Sequence, residues 1–131
     1  MPDAAQLLHS PTWRRHWRWL LVAMMATTSW LAFTPADPRP DTLPHLDKLQ
    51  HAAAFAALTV VAVLAGSGQQ LWMRVALPLL GYGLFIEGVQ SWLPSRQGDV
   101  LDLLADAGGI LLGLMVVHWL RRRWPVPALS A

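Results

Sequence analysis

The stretch from Phe85 to Gly113, FIEGVQSWLPSRQGDVLDLLADAGGILLG, gathers Glu87, Gln90, Arg96, Asp99, Asp102 and Asp106 around a proline turn between two apolar runs. A second polar group, Asp47, Lys48 and His51, opens an earlier apolar run. Carboxylates beside a histidine and two cations have the makings of general-base chemistry, of an anion or divalent-ion site, or of a polar lock between helices. Near a bilayer interior a central charge costs about 2.5 to 3.5 kcal/mol on an insertion-based scale, so this crowding needs a reason.

Spacing separates ordinary work from unexplained polarity. Asp99 follows the Pro94 turn and is expected to N-cap the last helix, with Asp102 in its first turn, where an acid suits the dipole. Asp106 lies two turns in, on the face of Asp102 and Asp99 at spacings of four and seven, and capping does not account for it. Glu87 and Gln90 share a face one turn apart. Glu87 precedes Leu93 by six residues, about 9 Å along a helix, a depth at which a carboxylate must be paired, wetted or protonated. Asp47, His51 and Phe55 follow one another at four-residue steps.

The elements that position these groups are apolar blocks. Of the 131 residues 54% are hydrophobic, and they cluster into four runs, Trp17 to Phe33, Lys48 to Ala65, Leu71 to Trp92 and Leu101 to Leu120. Each has the roughly 20 residues that cross a hydrocarbon core of about 30 Å. TPADPRPDTLPH, GSGQQ and LPSRQGD separate them as breakers. The expected fold is all-α, a four-helix transmembrane bundle: a segment 1–16, a four-span membrane domain 17–120 and a tail 121–131. Ala52, Ala53, Ala56 and Ala57 offer a narrow surface in the second span, and Ala105, Gly109 and Gly113 form a small-residue stripe in the fourth.

Charge sets the expected orientation. Arg14, Arg15, Arg18, Arg74, Arg121, Arg122 and Arg123 fall on one side, and Arg39, Lys48 and Arg96 on the other, so both termini are expected in the cytoplasm. Every acid except Asp3 falls toward the outer side. The net charge of +2 is then an orientation signal, and no nucleic-acid partner is expected. Trp13, Trp17, Trp19, Trp72, Trp119 and Trp124 sit at inner ends, Trp30 and Trp92 at outer ends, as interfacial rings do. The arginines before the first run suggest a signal peptide, but a long run with Trp30 and no A-x-A site reads as an uncleaved signal-anchor helix. With no cysteine, thiolate catalysis, disulfides and cysteine metal sites drop out.

In alternating spans, the outer ends of the second and third and the start of the fourth share a leaflet. Asp47, Lys48, His51, Glu87, Gln90, Arg96, Asp102 and Asp106 are therefore expected to form one outward-facing ligand site. His51, Glu87 and Asp106 are its candidate catalytic groups. Asp47-Lys48-Leu49-Gln50-His51 followed by Phe55 resembles the D-K-x-x-H-x-x-x-aromatic pattern of the VanZ-like family of small bacterial membrane proteins. Glu87-x-x-Gln90, Pro94, Arg96, Asp102 and Gly109, with an acid at Asp99, resemble its second motif. The family commonly has Asn where this chain has Asp106, and Gly where it has Ser95.

The resemblance implies a cell-envelope setting in the bacterial inner membrane. In the family's named member it also implies reduced susceptibility to the glycopeptide teicoplanin. Three functions compete. The first is a site for a membrane-lipid headgroup or a cell-wall-linked envelope molecule. The second is an intramembrane hydrolase or transferase with Glu87 or His51 as base, Lys48 and Arg96 holding an anion, and Asp102 or Asp106 orienting the base or binding a divalent ion. The third is a structural subunit, whose polar residues lock the helices and whose protein partner the sequence does not identify. A nucleophile elbow, H-E-x-x-H pair and P-loop are absent from the sequence, and no cofactor or resident metal is expected.

Overall fold

The computed structural model describes residues 11–35, 46–66, 71–96 and 98–124. Four helices account for almost all of them: α1 (Pro11–Phe33), α2 (Leu46–Ala65), α3 (Leu71–Gln90) and α4 (Val100–Arg123). Most of the proline-rich connection, most of the GSGQQ turn, Gln97, the first ten residues with Asp3, and the tail from Pro125 lie outside the described residues. α1 begins six residues before the expected Trp17, and α3 ends at Gln90, two residues short of Trp92. Glu87 is therefore within one turn of its helix end, shallower than its distance from Leu93 suggests.

The helices alternate in direction, as the inter-helix bonds show. Tyr82 donates to Met25 O (2.8 Å) and Gln90 to Ala32 O (3.0 Å), so α1 and α3 run parallel. Lys48 meets Asp102 and His51 meets Asp106, so α2 and α4 run parallel. Arg18 Nε, on α1, donates to Ala65 O at the end of α2 (3.2 Å) and sets those two antiparallel. Asp99, which precedes α4, donates its N–H to Glu87 near the end of α3 and turns that pair antiparallel as well.

α2, α3 from Trp72, and α4 are long and apolar enough to cross a membrane. α1 is not among them: Arg14, Arg15 and Arg18 fill its first turns, and Thr27, Thr28, Ser29 and its tryptophans dilute the apolar run. It nevertheless accompanies the others, tied near one end by Arg18 and at the other by Gln90. Much of the apolar surface faces outward, including Leu77, Leu84, Phe85, Leu104, Leu111, Leu112 and Met115, as lipid contact requires. Phe55, Leu58, Val63, Val75, Leu79, Ile86, Ile110 and Val117 form the core within.

α2 and α4 meet most closely. A Cβ at Gly109 would collide with the Ala52 carbonyl, and one at Gly113 would lie 2.6 Å from both Ala56 O and Thr59 Cβ. Ala52 and Ala56 of the alanine face and Gly109 and Gly113 of the glycine stripe are thus two sides of one contact, where small residues let backbones approach in lipid, whereas Ala53 and Ala57 are exposed. At Gly108 nothing lies within 4 Å of the added carbon. Gly113→Ala should therefore lower stability by about 1 to 3 kcal/mol through overpacking. Gly108→Ala should raise it by up to about 1 kcal/mol through helix propensity. Unfolding of both variants in the same lipid checks the pair.

Candidate functional site

Lys48 is the hub of the polar end. In the first turn of α2, its ammonium donates to Asp99 Oδ2 (2.8 Å), Asp102 Oδ1 (3.0 Å) and Asp47 Oδ2 (3.1 Å). An ammonium has three hydrogens, and each is matched to a carboxylate. Asp99 is the expected N-cap, with extended backbone and Oδ1 accepting from Leu101 N–H (2.8 Å), while its other oxygen holds Lys48. One side chain thereby starts α4 and fastens it to α2. The Lys48 ammonium holds the Asp99 carboxyl below the usual carboxylate range, and the Leu101 N–H adds to the effect.

Glu87 fastens α3 to the same point. Its Oε2 accepts the Asp99 N–H at 2.7 Å, and Oε1 is buried with no hydrogen-bond partner among the described residues. Asp106 is completely buried. Its Oδ1 lies 2.9 Å from His51 Nδ1, and Oδ2 is buried with no hydrogen-bond partner among the described residues. With Asp106 ionised, Nδ1–H donates and the imidazole is held in one tautomer. His51 Nε2 is 4.0 Å from Asp102 Oδ2. Gly83 of α3 makes room for Asp106, because a Cβ there would lie 2.5 Å from Oδ2.

Arg96 and Gln90 do different work from that expected. Arg96 donates from Nε to Thr34 O (3.1 Å) and from Nη2 to Leu31 O (3.1 Å) and Thr34 O (2.8 Å). Gln90 takes Ala32 O, and Thr34 takes Trp30 O through both N–H and Oγ1. The last carbonyls of α1, which a helix leaves unbonded, are closed by side chains from elsewhere, and the arginine charge suits that end of the dipole. Both residues also line a pocket of about 420 Å³ between α1, α2 and α3. Its walls are Leu31, Ala32, Ala54, Phe55 and Ile86, with Thr28, Gln50 and His51 adding polar groups.

The structure thus brings Asp47, Lys48, His51, Glu87, Asp102 and Asp106 together, adds Asp99, and sets Gln90 and Arg96 on the α1 side of His51. Of the two cations expected to hold an anion, Lys48 is surrounded by acids, and Arg96 turns two of its nitrogens to carbonyls and leaves Nη1 without a partner among the described residues. Five acids stand against these two cations, so the polar end is acidic. Of the third-span glycines Gly81, Gly83 and Gly88, which the sequence offers for bending or close approach, Gly83 is the one set against Asp106. Sequence reasoning missed the α1 wall of the pocket, for which the sequence carries no signal.

Removing the hub has a signed consequence. The Lys48–Asp99 contribution to stability is fully present above the ordinary aspartate value of 3.8 and is lost as pH falls through the lowered value. Lys48→Met should lower the melting temperature in nanodiscs at neutral pH and shrink the wild type's loss of stability below about pH 4. Equal acid sensitivity in the two proteins would count against the tie.

A family model described as VanZ/LLP1 matches residues 4–121, which include the whole polar end. No curated protein and no solved structure matches the chain. Taken with the multi-pass helical bundle and the polar residues gathered at one end of it, the match means that this chain belongs to the VanZ/LLP1 family.

Proposed function

We propose that this VanZ-like membrane protein binds the polar head of a membrane amphiphile in the pocket between α1, α2 and α3. The pocket carries the reading. Its lining joins a hydrocarbon-like wall, Leu31, Ala54, Phe55 and Ile86, to a polar patch of Gln50, His51, Gln90 and Arg96, the mixture that an acyl chain and its headgroup require. Arg96 Nη1 makes no hydrogen bond among the described residues and is available to the ligand. The acidic cluster behind His51 favours a headgroup that also presents an amine or hydroxyl donor over a bare phosphate.

Orientation follows from charge. Arg14, Arg15, Arg18, Arg74, Arg121, Arg122 and Arg123 lie at the end opposite the acids, which supports cytoplasmic termini and a pocket open to the outer leaflet of a bacterial inner membrane. The family resemblance extends the ligand class to cell-wall-linked envelope molecules and the consequence to glycopeptide susceptibility.

A second reading, hydrolysis or group transfer on an envelope lipid, draws on one observation. Buried Asp106 orients His51 through Nδ1, and His51 borders the pocket, an arrangement suited to a general base acting through Nε2.

Filling the pocket separates binding from folding. Ala54→Trp should leave helicity and membrane insertion intact and abolish an amphiphile that wild type retains when extracted with its native lipids. Mass spectrometry of the retained lipids makes the comparison, and the same lipid complement in both proteins would sink the binding reading. Turnover of that lipid by wild type, lost in His51→Gln by roughly a hundredfold or more, is the result the second reading requires.

A further inference from the structure

We propose that His51, Glu87 and Asp106, one residue from each of α2, α3 and α4, form a divalent-cation site. Ligand-capable atoms of the three lie within 4.8 Å of one another. His51 Nδ1 and Asp106 Oδ1 are 2.9 Å apart. Adjacent ligands of an octahedral ion with bonds of about 2.1 Å are separated by about 3 Å, so the two atoms that now share a hydrogen bond are also close enough to share an ion.

The unpartnered oxygens point the same way. Glu87 is 8% exposed and Asp106 0%, and Glu87 Oε1 and Asp106 Oδ2 are buried with no hydrogen-bond partner among the described residues. A carboxylate oxygen shut away from water without a donor is costly, and nearly all buried polar atoms in folded proteins have one. Among the described residues no lysine or arginine fills the gap: Lys48 is bonded to Asp47, Asp99 and Asp102, and Arg96 to the α1 carbonyls. With His51 neutral, the three residues carry two negative charges, which one divalent ion balances.

Donor chemistry narrows the ion. One imidazole nitrogen with carboxylate oxygens suits Zn²⁺ or Mn²⁺, whereas Ca²⁺ and Mg²⁺ take oxygen ligands. His51 also lines the 420 Å³ pocket, which sets the ion beside it. The inference goes beyond the amphiphile reading and does not depend on it, because metal stoichiometry is read without identifying any lipid.

The test uses the full chain in nanodiscs, purified without a polyhistidine tag and stripped with a chelator. Wild type should take up one Zn²⁺ or Mn²⁺ per chain by calorimetry and elemental analysis and melt at a higher temperature when loaded. Glu87→Gln and Asp106→Asn should each weaken binding by roughly a hundredfold or more, while His118→Gln, exposed at the opposite end, should bind as wild type does. Where an acid variant does not fold, the wild-type Mn²⁺ electron spin-echo spectrum decides alone, since it must contain one histidine nitrogen. No stoichiometric ion in wild type, binding unchanged in both acid variants, binding lost in His118→Gln, or a Mn²⁺ spectrum without histidine nitrogen would each overturn the site.

Discussion

The ammonium of Lys48, set among Asp47, Asp99 and Asp102, is the interaction on which the rest of the polar end depends. In lipid, helices gain little from burying apolar surface against one another, so close packing and polar ties decide their arrangement. Gly109 and Gly113 bring α4 against α2, and Lys48 then fixes the register of that contact at its open end. From Asp99 the tie passes to α3 through Glu87, and Arg96, in the turn between them, closes the end of α1. A defect at Lys48 therefore reaches all four helices.

The same economy explains why the site is acidic. Among the described residues Lys48 and most of the Arg96 guanidinium are engaged by the protein itself, and the acids outnumber them. Asp47 and Asp99 are partly solvated, whereas Glu87, Asp102 and Asp106 are buried. Asp102 has Lys48. Glu87 and Asp106 have one donor each, a backbone N–H and an imidazole nitrogen, for one oxygen, and none for the other among the described residues. Buried carboxylate oxygens without a donor are costly to the fold, which is why the proposed cation site is drawn on these two residues.

Much of this was legible in the sequence, for identifiable reasons. The last three apolar runs, the N-cap at Asp99, and the contact of Gly109 and Gly113 with Ala52 and Ala56 are local signals found where their spacing puts them. The grouping of Asp47, Lys48 and His51 with Asp102 and Asp106 followed from alternating topology. Partner choice was not legible. Lys48 and Arg96 are both outer cations by sequence, and only the folded turn sends one to carboxylates and the other to the carbonyls of α1. Nor does periodicity reveal that α1, which is not among the helices apolar enough to span, is held by side chains from α3 and its following turn, because those contacts join residues more than fifty positions apart.

The most direct measurement is a double-mutant cycle between Lys48→Met and Asp102→Asn, read as unfolding free energy in lipid nanodiscs at neutral pH. If the ammonium chiefly compensates buried acid, neutralising Asp102 in the Lys48→Met background recovers part of the lost stability, and the coupling between the two sites falls in the range of about 0.5 to 3 kcal/mol. Strictly additive losses would contradict the central place given to this contact.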